Sequence, residues 1–155
     1  MDFVKKYLVG TVSLTDNKAS LSLHAEIEEF RKESVNYCDP VFLLSIKPYN
    51  AKVVSMKLNN IETRALLKGL AGVAEGALEE YSRQSGGKTS LCHLNIKKRN
   101  QYHLIGLVRG SDMVEFSFKE YEMLGFAKEA EILCDTTAHA LFKTQQMIDR
   151  RKKKS

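Results

Sequence analysis

The chain contains no run of eighteen apolar residues, the length a membrane-spanning helix needs, so no such helix is expected. Its first residues, MDFVKKYLVG, lack the apolar core of a secretion signal, and a cytoplasmic setting is the expectation. Cysteine is scarce and odd in number. Cys38, Cys92 and Cys134 stand at unrelated spacings, which suits reduced thiols better than a disulfide framework. Catalytic signatures are also missing. There is no glycine-rich phosphate loop, no helical histidine–glutamate zinc pair and no serine elbow between glycines. The histidines, His24, His93, His103 and His139, do not fall at metal-ligand spacings, and Cys92 and His93 would point to opposite faces of a strand. The neighbouring carboxylates Glu28–Glu29 and Glu79–Glu80 have poor geometry for paired acid and base work. No enzyme activity, cofactor or metal is expected.

What remains is a globular composition. A hydrophobic content of 43% and a charged content of 28% over 155 residues describe one ordinary domain. The net charge of +5 is matched by a single tail, Arg150-Arg151-Lys152-Lys153-Lys154, so the body is neutral overall. That neutrality is uneven. Between Gly86 and Phe118, Lys88, Lys97, Lys98, Arg99 and Arg109 face only Asp112 and Glu115. From Lys119 to Asp149 the balance reverses, with Glu120, Glu122, Glu129, Glu131 and Asp135 prominent. A basic sheet beside an acidic helix fits a sheet that meets a polyanion, although two merely solvated faces would read the same way.

The pattern of the chain repeats. Val54 to Leu58 followed by Asn60 to Lys68 returns as Val114 to Phe118 followed by Glu120 to Lys128. Upstream, Lys18 to Leu23 is echoed by Lys88 to Leu94. The expected fold is therefore α+β: a duplicated β-β-β(-β)-α unit, with two antiparallel sheets packed on two long helices. The first copy is placed at 1–85, the second at 86–149 and a basic tail at 150–155.

Strands are expected over Tyr7–Thr15, from Lys18 to Glu28 where alternation is clean, over Val41–Lys47 and over Lys52–Leu58. Phe30 to Pro40 reads as irregular, with a turn at Asp39-Pro40. Asn59 or Asn60 caps a helix running to about Ser82, and Ser85-Gly86-Gly87 separates the copies. Then come strands Lys88–Lys97, Tyr102–Val108 and Met113–Phe118, with a basic loop at Lys98-Arg99-Asn100-Gln101. The last helix runs from Lys119 to about Arg150, long enough to overhang its sheet and offer its end to a partner subunit.

Binding single-stranded nucleic acid needs cations that track phosphates and planar groups that stack on bases. Lys18, Lys47, Lys52, Lys57, Lys88, Lys97, Lys98 and Arg99 supply the first; Tyr37, Tyr49, Tyr102 and His103 supply the second. Tyr102 beside Lys98-Arg99 is the densest cluster, while Phe42 reads as core. No helix-turn-helix or zinc-finger pattern supports duplex readout.

The strand-and-helix order, with Lys18-Ala19-Ser20-Leu21-Ser22-Leu23 at the second strand, resembles the Whirly family of single-stranded DNA-binding proteins. That family has a "KGKAALS" stretch there, of which this chain keeps Lys18-Ala19 and Leu21-Ser22, with Asp16-Asn17 in place of the middle lysine and glycine. Phe42 to Ile46, Val53 to Leu67, Lys88 to Leu107 and Val114 to Ala127 resemble its further elements. The kinetoplast mitochondrial RNA-binding proteins and the shorter Positive Cofactor Four proteins look similar in architecture. The resemblance implies a homo-oligomer, dimer or tetramer, held by helices, with single-stranded DNA along the sheets; it keeps RNA open and favours a bacterial, phage or plasmid setting. The competing reading is a protein-interaction module acting through its helices.

Overall fold

The computed structural model describes residues 2–72, 92–99 and 102–153. The fold is α+β, with two antiparallel sheets and two helices. Strands β1 (Asp2–Thr15), β2 (Ala19–Lys32), β3 (Val35–Pro48) and β4 (Val54–Leu58) form the first sheet in sequence order. Strands β5 (Cys92–Arg99), β6 (Tyr102–Arg109) and β7 (Asp112–Lys119) form the second. Helix α1 (Asn60–Gly72) follows β4, and helix α2 (Glu120–Lys153) follows β7. No described helix is long and apolar enough to cross a membrane.

Alternation dictates which face each strand buries. Along β2, Ala19, Leu21, Leu23, Ala25 and Ile27 are buried, while Ser20, Ser22, His24 and Glu26 are only partly covered. On β3 the buried set is Cys38, Phe42, Leu44 and Ile46, and on β4 it is Val54, Met56 and Leu58. Apart from Ile27 and Cys38, one apolar cluster joins these residues to Leu94, Ile96, Ile105, Leu107, Phe116 and Phe118 of the second sheet and to Met123, Phe126, Ala130, Leu133 and Cys134 of α2. Phe42 is thus core, as its sequence context suggested. Burial also pushes the Cys38 and Cys134 thiols above their ordinary pKa.

The stretch expected to be irregular is strand. β2 continues to Lys32, and the chain reverses through Glu33 and Ser34, whose φ angles are +51° and +66°. Paired positive φ values make the tight reversal whose twist matches a hairpin, here without the glycine or asparagine that would have signalled it. Pro40 then lies within β3 opposite Ile27. It is tolerated because β4 covers β3 only from Phe42 to Ile46, so the other edge of β3 is open at Pro40. The first hairpin also differs slightly. Asp16 Oδ1 accepts the N–H groups of Lys18 (2.7 Å) and Ala19 (2.8 Å), and the reversal takes in Lys18 as well as Asp16 and Asn17.

Both helices start with a glutamate that accepts a backbone N–H three residues earlier, and at α1 the bond is returned. Asn59 Oδ1 accepts the Glu62 N–H at 2.8 Å while Glu62 Oε1 accepts the Asn59 N–H at 3.1 Å, a reciprocal cap. At the head of α2, Glu122 Oε1 accepts the Lys119 N–H at 3.1 Å. The expected continuation of α1 to Ser82 and the Ser85–Gly87 boundary lie outside the described residues.

Helix α2 overhangs its own sheet: its 34 residues span about 51 Å, against about 27 Å for the 8-residue strands β5, β6 and β7. The overhanging end packs on the 14-residue strands of the first sheet. Ile148 packs with Ile27 and Cys38 in a second small cluster, flanked by Tyr7, Val9, Ala140 and Leu141. Cys38 Sγ donates to Gln145 Oε1 at 3.2 Å. Arg151 meets Glu29 at 3.1 Å, so this member of the basic tail is helical and engaged with the sheet.

Candidate nucleic-acid interface

The hairpin end of the first sheet carries the densest set of described candidate residues. The Asp16–Lys18 reversal lies beside the end of β3, where the Tyr49 N–H donates to the Lys18 carbonyl at 3.1 Å. The Tyr49 hydroxyl donates to the Asp16 carbonyl at 2.5 Å. These two bonds hold the phenol ring in place while leaving it 58% exposed. Asn17, Lys18, Ala19, Pro48, Tyr49, Asn50 and, from β7, Glu115 line an open cleft of about 540 Å³. Lys47, the penultimate residue of β3, and Lys52, in the following loop, are both exposed. No ion pair neutralises Lys18, Lys47 or Lys52 among the described residues. Chemically this is a preset aromatic face with Lys18 in the same cleft, the combination that holds a base and its phosphate; Lys52 follows in the next loop, while alternation along β3 turns Lys47 to the sheet face opposite Pro48.

A second group lies at the end of the β5–β6 ladder where Arg99 meets Tyr102. Arg99 pairs with Tyr102 in the ladder and Tyr102 with Lys119. Tyr102 is 47% exposed, and Lys97 and Lys119 are exposed. The side chains of Lys98 and Arg99, and all of Lys88, lie outside the described residues. Lys98 and Arg99 belong to strand β5 and not to the expected basic loop, whose remaining residues, Asn100 and Gln101, lie outside the described residues.

Three expected contacts are placed elsewhere. His103 is 2% exposed, with its ring 6.3 Å from that of Phe118. The imidazole therefore sits among apolar side chains and has no open ring face for a base. Its burial follows from register: His103 falls on the same face of β6 as Ile105 and Leu107. Tyr37 lies ten residues from Lys47 along β3, about 34 Å away. Its ring packs on Phe30, 6.1 Å between centroids, at the opposite end of the sheet. Lys57 is on the outer sheet face but pairs with Glu28 at 3.3 Å. That face also holds Glu26 beside His24, so its central part is close to neutral, not a basic track. Arg109 is likewise committed, donating to the Ser55 carbonyl at 2.6 Å and tying the second sheet to the first.

The sequence did not single out two features that the structure brings together. Glu115 alternates with the buried Val114 and Phe116, so an outward carboxylate was readable; its place beside Tyr49 was not. The other is a network around Glu29, which is fully buried. Tyr7 Oη (2.7 Å), Asn36 Nδ2 (2.7 Å) and Arg151 (3.1 Å) all donate to its carboxylate. Burial raises the pKa of Glu29, but these donors together outweigh it and hold the group below the ordinary carboxylate value. Tyr7 is pushed up, first by burial and then by the Glu29 charge. Arg31, Ser34, Asn36, Ile148, Arg151 and Lys152 line a cleft of about 270 Å³ above this network. Comparison with protein-family models and with curated proteins gives no match to the chain.

Proposed function

We propose that the chain is a single-stranded nucleic-acid-binding protein of low sequence specificity, acting on DNA in replication, recombination or transfer. The observation that carries this is the Tyr49 ring, fixed by its hydroxyl on the Asp16 carbonyl and left open in a cleft shared with Lys18, with Lys47 and Lys52 exposed in the adjoining segment. A stacking face and unpaired cations suffice for sequence-tolerant binding of a flexible strand, without the rigid groove reading that a duplex requires. Tyr102 with Lys97 and Lys119 offers a second contact for a longer strand. The helix-opening glutamates Glu62 and Glu122, sixty residues apart, support the view of the chain as a duplicated strand–helix unit of the kind the Whirly resemblance implies.

Fluorescence anisotropy with a labelled mixed-sequence single strand and its duplex tests the reading. Salt-sensitive preference for the single strand is expected, and RNA of the same sequence distinguishes the two polymers.

A protein-interaction role is the second reading. Tyr121, Leu124, Ile132 and Phe142 of α2 are exposed at roughly helical spacing, a line of apolar side chains that a second copy of the chain would cover. The two readings are compatible, since an oligomer would bring several Tyr49 clefts to one strand.

A further inference from the structure

The geometry points to a base-selecting role for Glu115: the Tyr49 cleft takes bases that present an amino group and disfavours thymine. The inference rests on the nucleic-acid reading above and names the chemistry of that same site.

The cleft carries two chemically opposite groups. Lys18 supplies a cation at the β1–β2 reversal, with Lys52 exposed in the loop that follows β3. Glu115 of β7 supplies a carboxylate to the lining of the same cleft. It is exposed, and no ion pair or hydrogen bond engages it among the described residues. A phosphate placed against Glu115 would be repelled, so a bound strand keeps its backbone on the lysine side. What turns towards Glu115 is then the base lying on Tyr49. An ionised carboxylate is an acceptor only. It therefore favours an edge with N–H donors and penalises one dominated by carbonyl oxygens.

Cytosine offers an amino group at C4, and a carboxylate is a fitting acceptor for it. Guanine offers an N–H and an amino group side by side. Thymine has one ring N–H flanked by two carbonyl oxygens, both of which oppose the carboxylate. Asn17 and Asn50 carry amides that can donate to or accept from the remaining polar atoms of the base. The Gly106 neighbour of Glu115 on β6 adds no side chain that would screen it. Preorganisation strengthens the case. The Asp16 turn and the Tyr49 hydroxyl bond fix the ring before any ligand arrives, so the edge of the stacked base is held in a defined orientation.

The test compares labelled oligodeoxycytidine and oligodeoxythymidine of equal length, titrated with the full chain and with the variants Glu115→Gln and Glu115→Ala. The two pyrimidines stack and bend similarly, so a difference between them reports the edge. The native chain is expected to bind the cytidine strand roughly tenfold more tightly, the scale of one discriminating hydrogen bond to a charged group. Glu115→Gln, whose amide both donates and accepts, should level the two, and Glu115→Ala should tighten thymidine binding. Equal binding of both strands by the native chain, or a preference unchanged in Glu115→Gln, would overturn the role of Glu115 and leave the cleft as a site of plain stacking. Failure to bind either strand would instead remove the nucleic-acid reading itself.

Discussion

The hydroxyl of Tyr49 donates to the carbonyl of Asp16 at 2.5 Å, joining the end of β3 to the β1–β2 reversal. The bond decides the orientation of the ring, and the ring face stays open. Tyr49→Phe should therefore weaken strand binding modestly, by loosening the ring while keeping its face. Tyr49→Ala removes the face as well and should cost about 1–3 kcal/mol of binding. Equal losses for the two variants would assign the effect to the turn and not to stacking.

Lys18, Lys47 and Lys52 should act through phosphate. Changing all three to alanine is expected to lower the slope of log affinity against log salt by about 2, at roughly 0.7 per phosphate contact on a single strand. A parallel triple change of Lys97, Lys98 and Arg99 tests the second group. Its affinity loss should be evident only with strands long enough to reach both ends. Unchanged affinity with long strands would remove that group from the interface.

Glu29 makes acid stability a local measurement. Its folded-state pKa is lowered, so its contribution is complete above the ordinary glutamate value of 4.5 and is lost as the pH falls through the lower folded value. Glu29→Gln should flatten the acid limb of a plot of unfolding midpoint against pH. Tyr7 is shifted upward, so its contribution holds below its ordinary value of 10.0 and fades as the pH rises through the folded value. Tyr7→Phe should remove that alkaline loss and lower stability near neutrality, where Glu29 loses a donor. An acid limb identical in Glu29→Gln and the native chain would show that other carboxylates govern it.

Gly10 sets the approach of β1 to α2. A side chain there would place its Cβ 3.3 Å from Leu133 Cδ1. The β1–β2 register also shifts between Leu8 and Gly10, so the strand is already bent at this contact. Gly10→Val should destabilise the chain by about 1–3 kcal/mol through overpacking. Leu133→Ala in the same chain should return part of the loss, and additive losses in a double-mutant cycle would contradict the contact.

The period-two pattern made most of the first sheet legible. Ala19, Leu21, Leu23, Ala25 and Ile27 are buried as alternation demands, and the cap at Asn59 follows from its position before Glu62. Local signals misled where long-range pairing overrode them. Asp39-Pro40 reads as a turn by composition, yet an open strand edge makes proline harmless there. Glu33-Ser34 turns sharply without glycine or asparagine, because thirteen further rungs of the β2–β3 ladder fix the reversal. For the site, sequence supplied the right residue types and not their grouping. Tyr37 and Tyr49 look equivalent in the sequence but sit near opposite ends of one strand. His103 was placed beside cations by sequence and inside the core by register.

The central claim is preference for a single strand at the Tyr49 cleft. It is tested most directly by titrating the full chain into a labelled mixed-sequence strand of about thirty nucleotides, longer than the site of a single binding fold. The matching duplex is measured in parallel, at about 50 mM and about 200 mM salt. The account predicts tight binding to the single strand, weaker binding to the duplex and a fall of at least roughly tenfold between the two salts. Absence of binding at the lower salt, or equal affinity for strand and duplex, would contradict it.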